Sequence, residues 1–477
     1  MLTAPAALAL IASPAVAMPK DALQAVISDP RQPLAPGCVA AVFDHGEMTQ
    51  FRAAGYADVK AQRPLDENSL FYAASLSKQF TALAAATLIA KGQLSLDDDI
   101  RQYLPQMPQY AVPVTVGMLM HHSGGIRDSL SLLRLAGMEN AGAASKQQAL
   151  DLLYAQADTA FMPGTQYSYS NGGYLLLAEV VESVAQRDFA DYAREAIFAP
   201  LGMEHSYFLN DKEPEPGSFA HGYIKENNNL DVRNSFPRFS GSGGLMLSMA
   251  DLARFERDIE IERKVWTPEI ARIMLTPGRF SDGSPVRDGS RDMGYGGGLH
   301  IGPYKGAYRV QHGGSAEGYK HNYVRFPERH QSFALMCNRG DWSAVERMER
   351  LIDAVAGAAD AADGAGQLSA ATENPAVAAA EMPKAPSGIF RSDELDATYH
   401  LMPEGKRLRV TISSPLTGKA GRTLMFERQA DGSYAAQSFR LHVRAPVAAG
   451  AAAPARISIS RGATGEIALH PVQKDRP

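Results

Sequence analysis

Ser75-Leu76-Ser77-Lys78 opens a long apolar run, and its spacing is chemically suggestive. Residues i and i+3 share one face of a helix, so the Ser75 hydroxyl and the Lys78 amine can meet one turn apart. A serine hydroxyl is a weak nucleophile until a neighbouring base takes its proton. A lysine serves as that base only if its pKa falls, and burial beside a helix N-terminus lowers it. Free N–H groups at the same terminus can also stabilise an oxyanion. Two later stretches carry further polar groups. Tyr169-Ser170-Asn171 sets a phenol and a carboxamide on a loop rim before an apolar helix, and His312-Gly313-Gly314-Ser315 follows a strand-like run. Each pattern also has an ordinary reading: Ser75 as a helix cap followed by a chance lysine, Tyr169 as a packing residue.

The elements that must position these groups are legible in outline. The run from Ser75 to Lys91 is rich in Ala and Leu and stops at Gly92, which predicts a helix with a glycine cap, buried because it is apolar nearly all round. Lys20 to Ser28 reads as a short amphipathic helix. Cys38 to Phe43 and Thr49 to Ala54 read as a hairpin turning at Asp44-His45-Gly46. Residues 115–200 are largely helical in pattern, broken at Ser123-Gly124-Gly125 and at Phe161-Met162-Pro163-Gly164. The adjacent histidines His121 and His122 face different ways on a helix, so they are read as capping or packing groups rather than metal ligands. Asp97, Asp98 and Asp99 read as a solvated helix start. Gly241-Ser242-Gly243-Gly244 breaks the chain before a helix capped by Ser248. Tyr308 to Gln311, His321 to Phe326 and Ser332 to Cys337 are spaced like an antiparallel meander, and a helix from Met348 closes the region.

Composition bounds the rest. The chain has 477 residues, is 45% hydrophobic and 21% charged, and carries a net charge of -5. It is long enough for two or three domains and has no basic footprint for nucleic acid. No apolar run after the N-terminus reaches the length of a membrane span. Leu2 to Val16 is small and apolar, and Ala15-Val16-Ala17 resembles a signal-peptidase site although no Lys or Arg precedes it, so residues 1–18 are expected to be a signal peptide. A periplasmic or secreted protein is expected. Cys38 and Cys337 both lie in strand-like runs; they could pair if those strands are neighbours, but two buried free thiols are the default. The pattern divides the chain into a catalytic region at 19–360, an Ala/Gly-rich linker at 361–384 and a small all-β region at 385–477. That last region contains an Ala-Pro loop at 445–455.

Taken in order, Ser75-x-x-Lys78, Tyr169-x-Asn171 and His312-Gly313-Gly314 resemble the signatures of the penicillin-recognising serine hydrolases. The branch is that of class C β-lactamases, D,D-peptidases, D-aminopeptidases and family VIII esterases. The resemblance covers roughly residues 36–356. It implies an α+β serine β-lactamase-like domain, an antiparallel sheet flanked by helices plus an all-helical region, followed by a lipocalin-like β-barrel. It also implies an acyl-enzyme formed on Ser75, with Lys78 and Tyr169 sharing general base and acid duty and a Tyr169 phenolate favoured by the nearby ammonium. Asn171 would hold Lys78 and a substrate amide. His312, Gly314 and Ser315 would line the substrate, with Ser75 and Ser315 N–H groups as the oxyanion hole. No cofactor or metal is implied. The expected substrates are small esters, D-amino-acid amides or peptides, or β-lactam-like molecules. His312 stands where β-lactamases carry a permanently charged lysine, which favours a peptidase or esterase over a true β-lactamase. The alternative is a penicillin-binding sensor that acylates without turning over. A barrel over the cleft would trim substrate size; otherwise it is a spacer or a partner-binding module.

Overall fold

Strand pairing brings the two ends of the catalytic region together. The computed structural model describes residues 22–28, 35–212, 214, 217–227, 229–234, 236–356, 385–444 and 456–472. The leader, the 361–384 linker and the 445–455 loop expected from the sequence lie outside these residues. A short helix, α1 (Ala22–Ile27), precedes the hairpin β1 (Cys38–Asp44) and β2 (Glu47–Ala54). The later strands are β3 (Arg287–Asp288), β4 (Met293–Tyr295), β5 (His300–Tyr304), β6 (Ala307–Ala316), β7 (Tyr319–Phe326) and β8 (Gln331–Cys337). They join β1 and β2 in one eight-stranded sheet of order β3-β4-β5-β6-β7-β8-β1-β2. Every pairing in it is antiparallel.

The register of β1 against β8 sets Cys38 opposite Cys337, and the two form a disulfide. This corrects the free-thiol default, which could not see that strands 299 positions apart are neighbours. Such a cross-link restricts the unfolded chain, by a typical ~2–4 kcal/mol. The Cys38→Ala/Cys337→Ala variant is therefore expected to melt several degrees below the parent in a thermal scan. Identical melting curves would remove the bond from the stability account.

A single turn of 3-10 helix at Ala74–Leu76 leads into helix α2 (Ser77–Ala90). Its residues from Ser77 to Leu88 are buried, as its uniform apolar character requires. Gly92 has φ +66° just past its end, the left-handed stop that glycine accepts without strain. Two helices of the helical region matter most for the site: α3 (Ser129–Leu135), capped by Asp128, and α4 (Asn171–Ala185), capped by Ser170. The aspartate run behaves as read, with Asp99 capping a 3-10 turn at Ile100–Gln102. Helix α5 (Met249–Arg257) is capped by Ser248, and α6 (Ala344–Ala356) packs against α1 and the outer face of the sheet.

From Gly388 the chain forms a closed eight-stranded barrel ending at Pro471. Burial alternates along its strands, as in Ala397–Glu404 and Arg407–Ser413, so alternate side chains fill the interior. Tyr399, Leu408, Val410, Ile412, Phe426 and Ile459 are fully buried there. The barrel does not stand apart. Its buried residues belong to the same hydrophobic cluster as the catalytic region, and Tyr399 donates from its hydroxyl to the Leu135 carbonyl (2.7 Å) at the end of α3.

Candidate active site

The Ser75 turn forms where backbone geometry is constrained. Ala74, immediately before it, has φ +50°, a left-handed conformation that costs a non-glycine residue free energy and turns up at functional sites. Ser75 then lies at the head of α2 with Lys78 one turn on, as the i, i+3 spacing predicts. Lys78 Nζ is 3.4 Å from Ser75 Oγ. Nζ also donates to Asn171 Oδ1 (2.8 Å) and to the Ser242 carbonyl oxygen (2.9 Å). The Gly-rich break at 241–244 thus supplies a backbone acceptor that its glycines make accessible. Gly243 has no room for a side chain: a Cβ there would lie 2.4 Å from the Tyr72 hydroxyl.

Tyr169 completes the group, its hydroxyl donating to Ser75 Oγ at 2.8 Å. Its ring lies 4.6 Å from Lys78 Nζ. Lys78 is 0% exposed, and burial pulls its amine down to about 7 against the opposing charge of Asp128. Burial acts on Tyr169 in the opposite sense, pushing its phenol well above the ordinary value. The phenolate expected from the nearby ammonium is therefore disfavoured, because both groups lose their hydration shell and each becomes more stable neutral. A neutral amine has two N–H donors, which match the acceptors at Asn171 and Ser242, and one lone pair left for the Ser75 proton.

Asn171 begins α4. Its backbone N–H and its side-chain Nδ2 both donate to Asp128 Oδ2, at 2.9 and 2.7 Å. A carboxylate only accepts, so Asp128 fixes which end of the carboxamide faces Lys78. Asp128 was absent from the sequence reading. Its only local signal was a cap-type residue before α3, and its partner Asn171 lies 43 positions away.

The third stretch lies on β6. Strand β5 pairs with β6 only as far as Gln311, which leaves the edge from His312 to Ala316 open beside the Ser75 turn. Gly314 is required by this approach, since a Cβ there would stand 2.4 Å from the Ala73 carbonyl oxygen. Ser315 is exposed, with its hydroxyl accepting from Lys320 Nζ at 2.5 Å. His312 is buried, and its Nδ1 faces the Gly313 carbonyl oxygen at 2.6 Å while Nε2 faces the Tyr295 hydroxyl at 3.2 Å. The proton therefore sits on Nδ1, and Tyr295 donates to Nε2. Burial, with His300 and Lys78 nearby, holds the ring well below the ordinary histidine value. The sequence reading allowed His312 a partial charge near pH 7; the folded environment makes it neutral.

Around these groups is an aromatic wall that sequence reasoning read only in part. The His122 ring packs against Tyr169, Tyr174 and Tyr295 with centroids 4.5 to 4.9 Å away. Its Nδ1 accepts from the Ser170 N–H (3.2 Å), which matches the capping-and-packing reading of the histidine pair. Behind His312, His300 Nε2 lies 3.1 Å from Asp288 Oδ2. Among the described residues, no group of three or more His, Cys, Asp or Glu side chains is arranged to hold a metal ion.

The profile of the Beta-lactamase family matches residues 23–357, well over half of the chain. The chain belongs to the Beta-lactamase family. Within it, penicillin-binding protein 4* of Bacillus subtilis (strain 168) is 28% identical over 316 residues, which are 63% of this chain and 68% of that protein. A D-aminopeptidase of Gluconobacter oxydans (strain 621H) is 28% identical over 312 residues, 64% of this chain and 56% of the relative. The chain thus spans between about half and two thirds of the length of the relatives it matches. Among solved structures, an octameric penicillin-binding protein homologue from Pyrococcus abyssi superposes with a TM-score of 0.60 at 21% identity, covering 90% of this chain and 93% of that one. A D-amino acid amidase from Ochrobactrum anthropi SV3 gives 0.59 at 22% identity, over 71% and 99%. At these identities the structural likeness shows the fold alone; the match to the Pyrococcus protein is long enough that it has to include part of the barrel.

Proposed function

We propose that this protein is a metal-independent serine hydrolase that works through an acyl-enzyme on D-amino-acid amides, short D-peptides or small esters. The observation that carries this reading is the placement of Ser75 Oγ between the Tyr169 hydroxyl (2.8 Å) and the buried Lys78 amine (3.4 Å). Ser75 gives its proton to neutral Lys78 as Oγ bonds to the substrate carbonyl carbon. The N–H groups of Ser75 and Ser315 stabilise the oxyanion. Tyr169 passes a proton to the leaving amine or alkoxide and is reprotonated from Lys78. Water then releases the acid by the same steps in reverse roles. Asn171 retains a second Nδ2 hydrogen for a substrate carbonyl. A neutral His312 offers no cation for a carboxylate, which speaks for amides and esters ahead of β-lactams. The relatives named D-aminopeptidase and D-amino acid amidase point the same way. The Cys38–Cys337 bond supports a periplasmic or secreted location, since such bonds persist in oxidising compartments.

The test is hydrolysis of D-alanine p-nitroanilide, p-nitrophenyl acetate and benzylpenicillin by the same preparation, with intact mass recorded. Turnover of the amide or ester without a lasting penicillin adduct is expected. A stable adduct with no turnover of any substrate would favour the penicillin-binding sensor. The pH profile has a definite sign as well. The working form of Lys78 is the neutral one, so kcat/KM is expected to rise with pH through about 7 and level off above it. A profile that falls through that range would exclude Lys78 as the base.

A further inference from the structure

Asp128 is separated from Ser75 by two residues, Asn171 and Lys78, yet every polar contact of its carboxylate serves the site or the helix beside it. Oδ1 accepts from the Ser131 N–H (2.8 Å), capping α3. Oδ2 accepts from both the N–H and the Nδ2 of Asn171, whose Oδ1 in turn accepts from Lys78 Nζ. The segment carrying it is pressed against the start of α4. The Arg127 carbonyl accepts from Ser170 Oγ (3.2 Å), and a Cβ on Gly172 would lie 2.3 Å from that carbonyl oxygen. Glycine at 172 is what allows this approach.

Resting on the serine-hydrolase reading, we propose that Asp128 is a positioning residue that sets both the orientation of Asn171 and the protonation of Lys78. The geometry carries the first half. Without an acceptor-only group at 128, the Asn171 carboxamide can rotate and present its NH2 to Lys78, and the amine loses an acceptor. The charge carries the second half. The groups facing Lys78 are Ser75 and Tyr169, Asn171 and Tyr174 on α4, the Ser242 carbonyl, and the buried neutral rings of His122 and His312. Among the described residues Asp128 is the one anion that acts on Lys78, and it works against the effect of burial.

The experiment compares wild type with Asp128→Asn, which keeps size, and Asp128→Ser, which keeps a good helix cap but cannot reach Asn171. Two readings are taken. The first is kcat/KM for D-alanine p-nitroanilide against pH. The second is the 13Cε titration of Lys78 by NMR, assigned with Lys78→Met, which needs no turnover. Both variants are expected to lose about 10- to 100-fold in kcat/KM at pH 8. The acid limb and the Lys78 midpoint should both move to lower pH by about half a unit or more. An unmoved Lys78 midpoint overturns the proposal, whatever happens to the rate, because a merely structural role lowers activity without moving it. A wild type whose hydrolysis survives Ser75→Ala instead overturns the serine-hydrolase reading, and the NMR titration still decides the role of Asp128.

Discussion

Ser75→Ala is expected to abolish hydrolysis of D-amides and esters, a fall of about a thousandfold or more in kcat, while the protein stays folded. Removing Oγ deletes the atom that would form the acyl bond. It also deletes the hydroxyl that links Tyr169 OH to Lys78 Nζ, and no other nucleophile lies in that bridge. The structural cost should be small. Ser75 is partly exposed, and α2 takes no side-chain cap from it. Intact mass after incubation with a fluorophosphonate and with benzylpenicillin reads the same point chemically: an adduct on wild type and none on the alanine variant. Retention of most of the rate by a folded Ser75→Ala protein would place the nucleophile elsewhere. Lys78→Met should match the loss in rate, because a thioether cannot take the proton. Its melting temperature is expected to change little, since the relief of no longer burying an amine is offset by the donor lost to Asn171 and to the Ser242 carbonyl.

How much of this was legible depended on how far each signal reached along the chain. Ser75 and Lys78 were readable because helical periodicity joins residues three apart, and the apolar run from Gln79 to Ala90 declared its own burial. The third stretch was readable as strand and glycine, but the neighbour that requires glycine at 314, the Ala73 carbonyl, was not, because it lies on a distant segment. What was not readable was charge. His312 and Tyr169 have unremarkable ordinary pKa values, and their neutrality comes from walls contributed by residues such as His122, Tyr174 and Tyr295, which lie on separate elements. Long-range pairing was equally hidden. The disulfide needs β1 and β8 to be neighbours, and Asp128 needs the end of one loop to meet the start of α4. Periodicity reports which face is buried, but it does not say what it is buried against. The barrel illustrates the same limit: its alternating strands were visible from Pro386 onward, whereas its contacts with the helical region were not.

Those contacts support the second large expectation, that Arg127→Met will weaken the seating of the barrel and slow catalysis together. Arg127 is buried, with its Nε donating to the Thr464 carbonyl (3.0 Å) in the last hairpin of the barrel and Nη1 donating to the Asp158 carbonyl. Met keeps much of the apolar stem but leaves both carbonyls without this donor in a buried interface, a loss of about 2–4 kcal/mol. Other bonds across the same surface remain, including Ser414 Oγ to the Ala136 carbonyl (2.6 Å), Gln156 Nε2 to the Glu394 carbonyl (2.9 Å) and Arg461 Nη1 to Ser131 Oγ (3.0 Å). The barrel should therefore stay attached, with a lower denaturation midpoint. Arg127 adjoins Asp128, so loosening its side chain loosens the carboxylate that orients Asn171. A fall in kcat/KM of about 2- to 30-fold follows, the range for a residue that acts through a packed network. The two effects are separable by measurement. Lower stability with unchanged kcat/KM would make the barrel a passive mount on the helical region. A joint loss, with KM for small substrates little changed, would mean that the barrel helps to hold Lys78 in place from the far side of α3.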